Sequence, residues 1–274
     1  MKKLITAALA AAMVLALTAC QSQPTGTTKA PETTAQATEA QETAGVTEQS
    51  EEETSEKILV MATNAEFPPY EYHEGDEIVG IDAEIAAAIA EDLGMTLEIE
   101  DMAFDSLIAA VQAGKADLVL AGMTVTEDRL MNVNFSESYA QAKQVIIVKE
   151  ESEIAGITDL DGKTVGVQLG TTGDILADDI ADGTIERYNK GFEAIQSLLQ
   201  DKIDAVVIDN EPAKVFVSEN AGLKIIEDAY EVEEYAAAIA KDNTELLDKV
   251  NASLAKLKES GKLQEIIDKY ISAE

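Results

Sequence analysis

Catalysis would have to be built from very little in this chain, which carries one histidine, His73, and one cysteine, Cys20, among 274 residues. His73 lies in a Glu- and Gly-rich stretch, Glu71 to Glu77, that reads as a loop, where a surface imidazole is expected. A Ser-His-Asp arrangement would need this histidine, yet no nucleophile-elbow sequence accompanies it, and zinc would lack its usual His and Cys ligands. A lone cysteine can form neither an intrachain disulfide nor a CxxC redox pair. The 53 Asp and Glu residues guarantee chance carboxylate pairs, so pairing alone points nowhere. Gly166-Val-Gln-Leu-Gly170 has neither the spacing of a dinucleotide fingerprint nor the lysine of a phosphate loop. These residues argue for no catalytic centre, no bound metal and no cofactor.

Cys20 has another use. Lys2 and Lys3, the apolar run Leu4 to Leu17, and small Ala19 just before Cys20 have the order of a secretory signal. A helix from Leu4 to Ala19 would rise roughly 24 Å, short of the ~30 Å hydrocarbon core, which disfavours a spanning segment. Leu17-Thr18-Ala19-Cys20 resembles the lipobox of bacterial lipoproteins. That resemblance implies a signal peptide over 1–19, lipid on Cys20, and an extracytoplasmic protein anchored to the bacterial cell membrane.

The net charge of −33 excludes nucleic acid as a partner, because no basic patch is available to displace counterions from phosphates. Between Gln21 and Glu56 the chain is Thr, Ala, Gln, Glu, Ser, Pro and Gly with one lysine, Lys29, and Val46 its only large aliphatic residue. Such a segment buries too little apolar area to offset its ordering entropy, and residues 20–56 are expected to form a disordered tether. Its root-mean-square span as a flexible coil would be roughly 30 to 36 Å.

From Lys57 onward the pattern alternates between strands and helices. Ile58 to Met61 is an apolar run that enters the turn-rich Asn64 to Pro69. A helix follows, with Asp82 as cap, Ile85, Ile89 and Leu93 on one face, and Gly94 as stop. Leu97 to Ile99 alternates like a strand, Asp105 is placed to cap a helix running to Gly114, and Ala116 to Leu120 is the next strand. Phe104 to Gln112 before Ala116-Asp117 is matched by Phe192 to Gln200 before Ile203-Asp204, a helix-to-strand unit occurring twice. The repeat suggests two related α/β lobes. Gln144 to Val148 and Tyr235 to Ala240 read as strands crossing between the lobes. At the C-terminus, Asp242 and Glu245 are spaced as a capping box, Leu246, Val250, Leu254 and Leu257 form the buried stripe, and Gly261 breaks the helix.

Three segments, Asn64-Ala-Glu-Phe-Pro-Pro-Tyr70, Ala121-Gly-Met-Thr-Val-Thr-Glu-Asp-Arg129 and Gly166-Val-Gln-Leu-Gly-Thr-Thr-Gly173, stand out together. They resemble, in order, the ligand-site segments of the extracellular solute-binding proteins of polar-amino-acid ABC transporters. Gly80-Ile-Asp82, Phe104 to Ile108 and Asp204 to Asp209 fit the same pattern, so the resemblance runs from about Ile58 to Ile271. It implies a two-lobed periplasmic-binding-protein-like (Venus-flytrap) α/β fold with two hinge strands. One lobe would comprise 57–143 and 236–274, the other 144–235.

The same resemblance implies a set of ligand contacts. Arg129 would pair with the ligand carboxylate, where its planar fork can donate two parallel hydrogen bonds. Thr124 and the Gly122 backbone would join it, with Thr171 and Thr172 from the second lobe at a helix start. Asp209 would receive the ammonium, and Phe67 and Phe104 would wall the ligand side chain. Asn64 stands where basic-amino-acid and glutamine binders often carry aspartate, and Gln168 offers another uncharged amide. Glu66 is near enough in sequence to add negative charge. These residues favour a polar neutral or basic amino acid over an acidic one. The expected partners are that amino acid, the membrane subunits of an ABC importer, and the membrane itself through the lipid, with the protein a monomer. A cleft dehydratase of the same fold and an amino-acid sensor subunit are the competing readings.

Overall fold

The computed structural model describes residues 57–227, 230 and 232–271. The expected leader, lipidated Cys20 and tether lie outside the described residues. The first apolar run is β1 (Ile58–Thr63), whose Leu59 and Met61 are fully buried. β2 (Glu66–Phe67), β3 (Glu71–Glu74) and β4 (Glu77–Val79) follow as a small antiparallel sheet. α1 (Ile81–Leu93) buries Ile81, Ile85 and Ile89, four residues apart and therefore on one face, and ends at Gly94 with φ 64°. β5 (Thr96–Asp101), α2 (Leu107–Gln112), β6 (Leu118–Val119), α3 (Glu127–Asn132) and β7 (Val133–Phe135) come next.

β8 (Ala140–Lys149) opens the second sheet. It is followed by β9 (Thr164–Gln168), α4 (Thr172–Ala177), β10 (Thr184–Tyr188), α5 (Gly191–Leu199), β11 (Ala205–Asp209), α6 (Asn210–Glu219), β12 (Leu223–Ile226) and β13 (Val232–Tyr235). The chain then returns through β14 (Ala238–Ala240) to α7 (Thr244–Ser260) and α8 (Lys262–Tyr270). The first sheet has the order β5-β1-β6-β14-β7, and the second β10-β9-β11-β8-β12 with β13 on β8. β1 is parallel to β5 and β6, and β9 is parallel to β10 and β11, so each lobe has a parallel centre. β14 enters the first sheet antiparallel between β6 and β7 after the whole second sheet has been made. Leu254 of α7 and Ile266 of α8 share a core with Ile85 and Ile89 of α1, which brings the C-terminus back to the first lobe.

The repeat has a physical basis. Asp117 and Asp204 each precede a central strand by one residue. The Asp117 carboxylate accepts the Val60 N–H at 2.8 Å, and that of Asp204 accepts the Thr164 N–H at 2.8 Å. Each aspartate also donates its own N–H to the same residue's carbonyl, at 2.8 and 2.7 Å respectively. The same clamp therefore joins two neighbouring strands in each lobe.

Five local expectations are corrected. Asp82 is the second residue of α1, behind Gly80 at the cap, and its buried side chain serves distant groups instead. Asp105 lies in a single 3-10 turn, Phe104–Ser106, that leads into α2, and makes no cap bond. Asn243 takes the place expected for Asp242, its Oδ1 accepting the Leu246 N–H at 3.2 Å. Gln144 to Val148 pairs with β11 and β12 inside the second sheet and does not cross between sheets. Tyr235 to Ala240 is two strands, β13 and β14, separated by Ala236 and Ala237. The chain passes between sheets at 136–139 and at these two alanines, where Ser136 N–H donates to Ala237 O and Tyr139 N–H to Tyr235 O, both at 2.9 Å.

Candidate functional site

The parallel strands bring the chemistry together. In open α/β sheets the loops beyond the carboxyl ends of the strands line the crevice. Here Asn64 follows β1, Phe104 follows β5, Gly122 and Thr124 follow β6, Gln168 ends β9, and Asp209 ends β11. Asn64, Phe67, Phe104, Gly122, Arg129, Gln168, Thr171, Thr172 and Asp209 all line one cleft, together with Glu71 and Ala121. Thr124, the tenth expected residue, lines the neighbouring groove, and its hydroxyl lies 3.3 Å from that of Thr172.

Arg129 sits in the third position of α3, and Thr126 caps that helix by accepting the Arg129 N–H at 3.2 Å. Its side chain is not the exposed cation that a helix start would ordinarily carry, for Arg129 is 7% exposed. Nη1 donates to Thr124 O at 2.7 Å and Nη2 to Gly170 O at 3.0 Å, with the guanidinium 5.4 Å from the centre of the Phe104 ring. Burial lowers its pKa, opposed by the charges of Asp209 and Glu233. A guanidinium has five N–H donors, so two bonds to carbonyls hold it in place and leave others for an anion. Gly122 has φ +52°, and a Cβ there would stand 2.9 Å from Phe67 Cε1, so only glycine brings this backbone against the aromatic wall.

The second lobe supplies the opposite charge. Asp209 stands at the N-cap of α6 but makes no cap bond; its carboxylate accepts the Tyr235 hydroxyl. Burial raises its pKa to about 6, against the pull of that hydrogen bond. Thr171 caps α4, accepting the Asp174 N–H at 3.4 Å while donating to Gln168 O at 2.8 Å. Asp174 fixes the loop, accepting the Gly170 N–H at 2.9 Å and Arg187 Nε at 2.7 Å. The lobes meet through Arg129 and Gly170, and through Gln168 Nε2, which donates to Asn64 Oδ1 at 2.9 Å. Glu66 pairs with Lys190 of the other lobe and does not line the cleft. His73 is an exposed partner of Asp101, 3.1 Å away.

Glu71 is the residue that sequence reasoning missed. It lines the cleft, is fully buried, and neither carboxylate oxygen receives a hydrogen bond. Its neighbour is Asp82, whose Oδ1 also lacks a partner while Oδ2 accepts the Gly122 N–H and the Tyr139 hydroxyl, both at 2.8 Å. Two adjacent buried acceptors are best satisfied by sharing a proton. Burial, then the Asp82 charge, raises the Glu71 pKa well above the usual range, and burial raises that of Asp82 to about 7. The only sequence signal was position, directly after Asn64 to Tyr70. A guanidinium in one lobe and a carboxylate in the other can hold the two charges of a small zwitterion, with Glu71 a third ionisable group on the same cleft.

The fold and this cleft define a two-lobed binding protein. The chain belongs to the bacterial extracellular solute-binding proteins, family 3, whose model matches residues 59–273. It is 36% identical over 281 residues to the arginine-binding extracellular protein ArtP of Bacillus subtilis, with all of both chains covered. The crystal structure of the substrate binding protein of an amino acid ABC transporter superimposes with a TM-score of 0.75 at 40% identity, covering 79% of this chain and 100% of that one. The arginine-, lysine-, histidine-binding protein ArtJ of Geobacillus stearothermophilus gives a TM-score of 0.76 at 35% identity, covering 80% and 96%. The protein captures an amino acid outside the cytoplasm for delivery to an ABC transporter. Its family is one of binding proteins, not enzymes.

Proposed function

We propose that the captured amino acid is cationic, with L-arginine the cognate ligand. The observation that carries this reading is Glu71, a buried carboxyl without a hydrogen-bond donor that faces the cleft. In the free protein a proton shared with Asp82 offsets the burial of Glu71, and a guanidinium that displaces it supplies both the charge and the N–H donors the ionised carboxyl needs. Arg129 takes the α-carboxylate, Asp209 the α-ammonium, and Asn64 and Gln168 present amides to the side chain between Phe67 and Phe104. Similarity to proteins named for arginine, lysine and histidine supports the same choice. Calorimetric titration with arginine, with citrulline as its uncharged isostere, and with glutamate tests it. Arginine should bind far more tightly than citrulline and glutamate not at all; equal affinity for arginine and citrulline would overturn the cationic reading.

The protein acts as a monomer, in two lobes joined near residues 136–139 and 236–237, anchored by lipid at Cys20 after removal of residues 1–19. One acyl chain gives only marginal attachment, so the several chains of a lipoprotein cysteine matter for retention. Fractionation of cells expressing Cys20→Ser should move the protein from membrane to medium or soluble fraction with binding intact. Retention of that variant on the membrane would refute the anchor.

A further inference from the structure

Glu66 and Lys190 join the two lobes by an ion pair, and neither residue lines the cleft. Glu66 belongs to β2 of the first lobe, and Lys190 is the residue just before α5 of the second. Local structure does not account for the lysine, which is a poor helix cap and a cation ill placed at the positive end of a helix dipole. Its partner does. Both sides of the pair are held in place by their own lobes. β2 is paired with β3, Glu66 opposite Tyr72, and the neighbouring Ala65 N–H donates to Asp101 Oδ1 at 3.0 Å. The Lys190 N–H donates to Glu193 Oε2 at 3.2 Å, and its ammonium lies 5.8 Å from the centre of the Phe192 ring. Two residues before Glu66, Asn64 accepts the Gln168 amide. The first-lobe segment 64–66 therefore touches the second lobe twice, once on the cleft wall and once outside it.

We infer that Glu66 and Lys190 form a latch, made when the lobes come together and lost when they part, that slows release of the captured amino acid without selecting which amino acid is captured. The chain crosses between the lobes elsewhere, at 136–139 and 236–237, so no nearby backbone connection keeps the pair together. A contact present only in the closed form shifts the equilibrium towards that form. Side-chain exposures of 26% for Glu66 and 39% for Lys190 leave the pair partly screened by water, so it is worth no more than about fivefold in an equilibrium or a rate. The inference rests on the two-lobed capture proposed above, but not on the identity of the ligand.

The test is stopped-flow dissociation of L-arginine and of L-histidine from the native protein, from Glu66→Lys, from Lys190→Glu, and from the double variant that exchanges the two charges. Each single reversal replaces attraction by repulsion and should speed release by about fivefold or more, by the same factor for both amino acids. The exchanged pair should bring release back to within about twofold of native. Single variants that release both ligands at the native rate would show that the pair carries nothing. Failure of the folded double variant to recover the native rate would show that the single changes act through something other than the pair. A factor that differs between arginine and histidine would show that one of these side chains reaches the ligand. Any of the three overturns the inference. Native protein that binds histidine and not arginine would refute the ligand assignment instead, and the charge exchange read with histidine would still decide the latch.

Discussion

Replacing Glu71 by glutamine should cost most of the affinity for arginine and remove its pH dependence. Glu71 is fully buried and its one partner for a proton is Asp82, so a ligand guanidinium reaching it would have no water to screen the contact and that shared proton to displace. Truncating one partner of a buried charge pair typically costs about 2 to 5 kcal/mol, or roughly thirtyfold to several thousandfold in Kd. Part of the native pair's energy is spent first. Glu71 beside Asp82 favours its protonated form, and a cation binds best after that proton has left. The free protein therefore holds more protons than the complex, and affinity should rise with pH until the dyad is ionised in the free state. Burial raises both carboxyls of the dyad, which puts this rise above the ordinary carboxylate range. Calorimetry at several pH values, in buffers of different ionisation enthalpy, measures affinity and released protons together. Native protein should release up to one proton per arginine near neutral pH, and Glu71→Gln close to none. If Glu71→Gln is folded, binds arginine within about threefold of native and releases the same number of protons, the role given to this carboxyl is wrong.

Arg129→Ala should weaken binding by about 3 to 5 kcal/mol because it strands the ligand carboxylate in a desolvated cleft, and Arg129→Lys should also lose affinity because an ammonium cannot reproduce the fork; near-normal calorimetric affinity of either folded variant would exclude that contact. Stability of the ligand-free protein should depend on pH in a defined direction. Asp82 and Asp209 are raised from 3.8 to about 7 and about 6, so the folded state binds the extra protons. Their contribution is complete below the unfolded value and is lost as pH rises through the folded ones. The Tm should therefore fall between about pH 4 and 7 through these groups, and saturating arginine should raise Tm most at the upper end; a flat ligand-free profile by scanning calorimetry in native and Asp82→Asn protein alike would contradict it.

Much of this molecule was legible because the signals are local. Gly94 and Gly261 end helices through their own backbone freedom, and the apolar spacing of α1 and α7 needs no partner to be seen. The helix-to-strand repeat was visible for the same reason, as were the segments that follow β1, β6 and β9. The resemblance to a known family supplied the ligand roles, and the fold brought nine of the ten named residues to one cleft. What failed were readings in which an acid was judged by its sequence neighbours alone. Asp82 precedes a helical face as a cap would, but the Gly122 N–H and the Tyr139 hydroxyl are brought to it across the lobe. Glu71 looked like one more acid in a Glu- and Gly-rich loop, and among 53 acids no single one is informative. Burial made it distinctive, and burial is a property of the folded sheet order, not of the residue. The hinge divided in the same way: apolar strands announce themselves, but whether Gln144 to Val148 pairs within a sheet or crosses between sheets depends on hydrogen-bond partners up to 80 residues away. Sequence alone determined the elements, the charge and the family likeness, because these depend on neighbours along the chain. Tertiary structure decided which carboxyls lost their water, because desolvation depends on segments that meet only when the lobes have formed.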